Sequence, residues 1–216
     1  MHVAELWRYP VKSMAGERLA RADLALDGIP GDRVVLVRDG RGRTVTSRAR
    51  PGLLAHHATL GADGEPLVDG RPWQAPDVAR EVAAAAQDPE ARLVTAAFDD
   101  RFDVLPLLVA TDGGIAAFGY DGRRLRPNVV VAGVEGLAER RWPGHLLRVG
   151  PALVGVRTRR ARCIMTTFDP DTQVQDVEVL KHIHRAFGGE LALDCYVVRA
   201  GPIAVGDPVE LVDDAA

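Results

Sequence analysis

The residues best suited to chemistry lie in Arg157-Thr158-Arg159-Arg160-Ala161-Arg162-Cys163-Ile164-Met165-Thr166-Thr167-Phe168-Asp169-Pro170-Asp171-Thr172. Four arginines fall within six residues, and a cysteine directly follows the last. Cationic neighbours favour a thiolate over a thiol, and the thiolate is both a nucleophile and a soft-metal ligand. Strand alternation sets Arg157, Arg159 and Ala161 on one face and Thr158, Arg160 and Arg162 on the other. A loop beginning near Cys163 exposes the sulfur. The same residues also describe an arginine-striped surface beside a buried, inert cysteine, since free cysteine is among the most buried residue types. Asp169 and Asp171 flank Pro170 and read first as turn residues.

Two further segments have anion-binding chemistry. In Arg123-Arg124-Leu125-Arg126-Pro127-Asn128, the proline favours an extended backbone at Arg126. Its forked guanidinium suits phosphate, with the Asn128 amide close by. An ordinary charged turn before a strand has the same composition. In Tyr9-Pro10-Val11-Lys12-Ser13-Met14-Ala15-Gly16-Glu17, an ammonium and a hydroxyl follow a strand, without the glycine-rich loop of a nucleotide-binding P-loop. Gly28-Ile29-Pro30-Gly31-Asp32-Arg33 reads as a turn with an Asp–Arg pair. The histidines form no His-Glu-x-x-His pattern, and no serine sits in a Gly-x-Ser-x-Gly elbow.

The elements that must position these residues are mostly strands. Expected strands are Val3–Tyr9, Arg33–Val37, Leu67–Val68, Leu93–Ala97, Leu105–Ala110, Val129–Val131, Leu146–Val149, Leu153–Thr158, Leu191–Val198 and Pro208–Val212. Asp39-Gly40 and Asp63-Gly64 mark hairpin turns. Helices are expected over Pro76–Gln87 and Asp176–Phe187, with a short turn of helix over Gly114–Gly119. Gly188 is a stop signal. The acidic, Ala-rich stretch from Pro76 to Arg92 is the candidate boundary between lobes. This pattern predicts a mainly β (α+β) fold, a barrel or sandwich with a few covering helices.

Composition narrows the class. A chain of 216 residues, 47% hydrophobic and 26% charged, can bury a sizeable core and is neither disordered nor fibrous. A net charge of −3 argues against nucleic acid as the main partner. Lys12 and Lys181 are the only lysines among 27 basic residues, a bias that fits a GC-rich coding sequence. Two cysteines, Cys163 and Cys195, cannot build a four-cysteine zinc or iron–sulfur site. Met1-His2-Val3-Ala4-Glu5 has no basic region before an apolar stretch, and the longest apolar run, Val104–Ala110, is far shorter than a membrane helix needs. The expectation is a cytoplasmic protein with reduced thiols and no membrane contact.

Taken together, the segments resemble the MOSC family, the molybdenum-cofactor sulfurase C-terminal domain superfamily, preceded by the N-terminal β-barrel region of the amidoxime-reducing proteins. The matches, in family order, are Tyr9-Pro10-Val11-Lys12-Ser13, Gly31-Asp32-Arg33, Arg126-Pro127-Asn128, the Arg162–Thr172 stretch and Val205-Gly206-Asp207-Pro208-Val209. The resemblance implies a MOSC-type β-barrel over 91–216 with a smaller N-terminal β-barrel lobe over 1–90. It implies Cys163 as the molybdenum ligand. It places Lys12, Ser13, Arg33, Arg126 and Asn128 at positions that hold the anionic pterin, chiefly its phosphate, with Arg162 and Thr166 in the same cofactor-binding set. Thr111 is a looser match, in Thr111-Asp112-Gly113-Gly114.

The activity so implied is molybdenum-cofactor (Mo-molybdopterin) dependent reduction of N-hydroxylated compounds such as amidoximes, hydroxylamines and N-hydroxylated bases. The family's membrane anchor and fused ferredoxin domain are not recognised in the sequence. Electrons are therefore expected from a separate ferredoxin- or cytochrome b5-like protein and its reductase. The alternative is a cofactor-binding or sulfur-carrier protein without redox turnover, in which Cys163 carries a persulfide. Cys195 is expected to pack in the last strands.

Overall fold

The structure is a computed structural model and describes residues 1–213. In chain order the elements begin with strands β1 (His2–Arg8), β2 (Glu17–Leu19), β3 (Arg21–Leu24), β4 (Val35–Arg38), β5 (Thr44–Val45), β6 (Ala58–Leu60), β7 (Pro66–Val68) and β8 (Arg71–Pro72). Next come α1 (Pro76–Ala86), β9 (Arg92–Thr95), α2 (Phe98–Arg101), β10 (Leu107–Thr111), α3 (Asp112–Phe118), β11 (Val129–Ala132) and β12 (Leu146–Val149). The chain ends with β13 (Ala152–Ala161), α4 (Val177–Phe187), β14 (Glu190–Arg199), β15 (Gly201–Ala204) and β16 (Val209–Val212).

An eight-stranded sheet in the order β16-β12-β13-β14-β10-β11-β1-β2 carries the larger lobe. Its apolar face packs Leu6, Leu107, Val129, Leu147, Val154 and Leu193 into the main core. Every neighbouring pair is antiparallel except β10 with β11. The expected mainly β fold with a few helices is present, but the sheets are not closed barrels. The ladder ends at β16 and β2, and the segment before β16 touches the start of β1 through a His2–Pro208 bridge and backbone bonds such as Val3 N–H to Asp207 O. β2 takes the same edge of β1 from Leu6 to Arg8, so that contact does not extend into a full strand pair.

The smaller lobe has two three-stranded sheets, β5-β4-β9 and β6-β7-β8, packed with α1 around Val35, Val37, Leu53, Val78 and Val82. Its first strands do not stay apart from the larger lobe, because β1 and β2 belong to the eight-stranded sheet.

Helix ends follow local chemistry. In α4, Asp176 accepts the Glu178 N–H, Val179, Ile183 and Phe187 form the buried stripe, and Gly188 closes the helix at φ 67°. α1 begins at Pro76 and ends where Gln87 turns left-handed at φ 54°. α3 starts two residues earlier than glycine content suggests, because the Thr111 hydroxyl caps it by accepting the Gly114 N–H. Among the described residues, no helix is long and apolar enough to cross a membrane.

Candidate functional site

A cavity of about 500 Å³ lies between the lobes, a size suited to a small-molecule ligand. Lys12 and Ser13 reach it from the turn after β1, and Arg126 and Asn128 from the segment before β11. Arg160 and Arg162 come from the end of β13, with Cys163 next. Eight cationic side chains line the cavity against two carboxylates, Asp103 and Asp194.

Two backbone features aim the groups. Register shifts between Val156 and Thr158 and between Arg159 and Ala161 interrupt the alternation of β13, so Arg159, Arg160 and Arg162 all line the cavity. Arg126 departs from the extended conformation its proline favours. Its φ is 57° and its ψ 50°, because it closes the 3-10 turn Gly122–Leu125 with its N–H on Arg123 O. Pre-proline sterics disfavour right-handed helical backbone at that position, and the left-handed cap avoids it. Arg33 is likewise left-handed, at φ 53°, so the expected strand from Arg33 begins only at Val35.

Most charges at the site have partners. Arg33 pairs with buried Asp32 and lies 5.0 Å over the Tyr9 ring. Asp32 also accepts the Tyr9 N–H at 2.7 Å and the Asn128 amide at 3.2 Å. The Asn128 side chain further bonds Leu108 N–H and Trp7 O, so its amide ties β1 and β10 together at the cavity wall. Arg160 bonds Asp194 at 2.8 Å. Burial raises the Asp194 pKa despite that partner. Lys12 (3.2 Å), Arg48 and Arg160 (3.6 Å) converge on Asp103. Burial pushes the Asp103 carboxyl up, but these cations outweigh it and hold its pKa below the ordinary value.

Two guanidiniums differ. Arg126 lies 4.3 Å over the Tyr9 ring, and its Nη2 is buried without a hydrogen-bond partner. Arg162 donates through Nη2 to Leu125 O at 2.8 Å, while its Nε is buried without one. Burial lowers both pKa values to about 10, so both stay charged at neutral pH. A buried, charged donor without an acceptor is costly, and an incoming oxyanion satisfies it. Tyr9 fixes the Arg126 turn by donating its hydroxyl to Pro127 O at 3.1 Å, and burial pushes its pKa up to about 12.

The other expected site residues are distributed as follows. Cys163 is half-buried and lines the cavity as the residue before the 3-10 turn Ile164–Thr167. Thr166 is fully buried and does not line the cavity; its hydroxyl donates to Cys163 O at 2.9 Å and shapes the turn from behind. Thr111 caps α3 away from the cavity. The sequence reading did not single out Arg48, Arg101, Asp103 or Asp194, which also line it. Asp103 ends a charged stretch and Asp194 lies in an apolar one, and only the fold brings them opposite the arginines. Cys195 is buried in the core, where burial pushes its thiol pKa well up.

The fold and cavity define a β-rich, two-lobed protein with a cation-lined cleft and a cysteine at its wall. The MOSC N-terminal beta barrel domain model matches residues 1–104 and the MOSC domain model residues 114–210, so the chain belongs to the MOSC family. It is similar to human mitochondrial amidoxime-reducing component 1, at 26% identity over 97% of this chain and 82% of that protein. It is also similar to human mitochondrial amidoxime reducing component 2, at 25% identity over 96% of this chain and 82% of that one. Among solved structures, the YUAD protein from Bacillus subtilis superposes with a TM-score of 0.51 and 16% identity, covering 98% of this chain and 95% of that chain. That likeness concerns the fold.

Proposed function

We propose that the chain is a molybdenum-cofactor-dependent reductase of N-hydroxylated compounds, with electrons delivered by a separate ferredoxin- or cytochrome b5-like protein. The observation that carries this reading is the cavity that Cys163 lines with eight cationic side chains, two of which, Arg126 and Arg162, keep a buried nitrogen without an acceptor. An anionic pterin bearing a phosphate suits that donor set, and a thiolate suits molybdenum. The residues therefore fit the group.

Lys12, Ser13, Arg33, Arg126 and Arg162 would hold the anionic cofactor, and Cys163 would ligate the metal. When bound, the cofactor supplies the two-electron chemistry that converts N–OH to N–H and water. The chain contributes charge and orientation. Asp32 and Asn128 fix the Arg33 and β1 side of the cleft, and Arg162 anchors the chain before Cys163 on Leu125 O. Thr111 and Thr166 act through the backbone, as a helix cap and a turn brace.

The test is reduction of benzamidoxime by the molybdenum-loaded chain with an artificial dye donor. Turnover that disappears in Cys163→Ser is the expected result. Absence of turnover across several N-hydroxylated substrates contradicts the proposal. A stable extra sulfur on Cys163, transferred together with cofactor to an acceptor enzyme, would replace it with a carrier role.

A further inference from the structure

A second cavity, of about 370 Å³, opens on the far side of Met165 and Arg126. These two residues line both cavities and so form the partition between them. Met165 is two residues from Cys163 in the same turn, and the Ser47 hydroxyl holds its sulfur at 2.8 Å.

The two spaces differ in chemistry. Charges around the second are neutralised locally. Arg123 bonds Asp171 through both terminal nitrogens, at 2.8 and 2.6 Å, and also holds Asp121. Arg124 bonds Asp169 at 2.9 Å and the carbonyls of Thr166 and Thr167. The apolar walls are Trp7, Tyr9, Leu54, Met165 and Phe168. At the partition, the Arg126 guanidinium packs against the Tyr9 ring and its Nη2 is buried. Such a space favours a flat, apolar body that stacks on aromatic rings. A multiply charged anion gains nothing there that the first cavity does not supply better.

We infer that the second cavity takes the aromatic body of an N-hydroxylated substrate, beside the turn that carries Cys163 and Met165. The identity of the polar group rests on the function proposed above; the aromatic subsite rests on the cavity itself. Ala55 lines this cavity at the exposed end of the 3-10 helix Pro51–Ala55, so a larger side chain there fills it without entering the core.

The experiment is titration calorimetry on the full chain without cofactor, so that ligand binds but does not turn over. Benzamidoxime should bind saturably, and acetamidoxime, which lacks the ring, should bind about tenfold or more weakly. Ala55→Trp should weaken benzamidoxime by about tenfold or more, and Ala55→Phe by less. Inorganic phosphate, the probe for the first cavity, should bind all three proteins alike. Thermal unfolding checks that the variants fold, and Ala55→Phe carries the test if the tryptophan does not. Benzamidoxime binding that ignores residue 55, or no binding while phosphate still binds, overturns the inference and leaves the cofactor reading intact. Residue-55-sensitive binding without phosphate binding supports the aromatic subsite and removes the cofactor reading instead.

Discussion

Lys12, Arg48 and Arg160 all reach the Asp103 carboxylate, whereas Arg126 and Arg162 each keep a buried nitrogen without an acceptor. The first group is already neutralised in part; the second presents charge to a ligand. Replacing Arg162 with glutamine should therefore weaken phosphate binding by about tenfold or more in calorimetry. Asp103→Asn should strengthen it, because three cations lose their internal counter-charge. The same carboxylate has a pH signature. Its folded pKa is depressed, so its stabilisation is present above the unfolded carboxylate pKa and lost as pH falls through the folded value. Wild type should thus melt above Asp103→Asn at neutral pH, and the gap should close in acid. A gap that widens on acidification contradicts the assignment. Of these residues, Arg162 and Cys163 stood out in the sequence as a cation cluster beside a cysteine, and Arg126 through the separate arginine run before Pro127 and a strand. Asp103 was not, since one aspartate between Phe102 and Val104 gives no local sign of the three cations it meets.

The turn Ile164–Thr167 holds its shape because α4 and the turn Gly122–Leu125 pack around it. Val179, Ile183 and Phe187 of α4 share a cluster with Phe118 and Leu125, and the Leu125 carbonyl receives Arg162. Asp176→Ala should remove a helix cap at a cost of about 1 kcal/mol. Ile183→Ala should cost about 2–5 kcal/mol through the cavity it leaves. Denaturant titration reads both, and equal losses would contradict the packing described here. Helix α4 was readable from its apolar spacing and its Gly188 stop, and β13 from its apolar start. The breaks in its alternation were not, because the register shifts arise only from its pairing with β14. The left-handed Arg126 was misread because pre-proline sterics were weighed without the 3-10 turn it closes.

At the scale of the molecule, the cleft exists because β1 and β2 cross from the smaller lobe's stretch of sequence into the larger sheet. That crossing sets Lys12 and Ser13 opposite Arg162 and Cys163. The mainly β class was visible from strand spacing, and the family from five ordered motifs. The open sheet was not, because closure depends on whether the terminal segments pair over their whole length, and here they meet over a few residues. A molybdenum cofactor held in this cleft through Cys163 would make the metal content depend on that cysteine. The measurement that tests it most directly is molybdenum per chain, by mass spectrometry, in wild type and Cys163→Ser purified anaerobically from a host that makes the cofactor. About one molybdenum per wild-type chain is expected, and roughly a tenth or less in the variant. Wild type without molybdenum, or a serine variant that keeps as much as wild type, contradicts it.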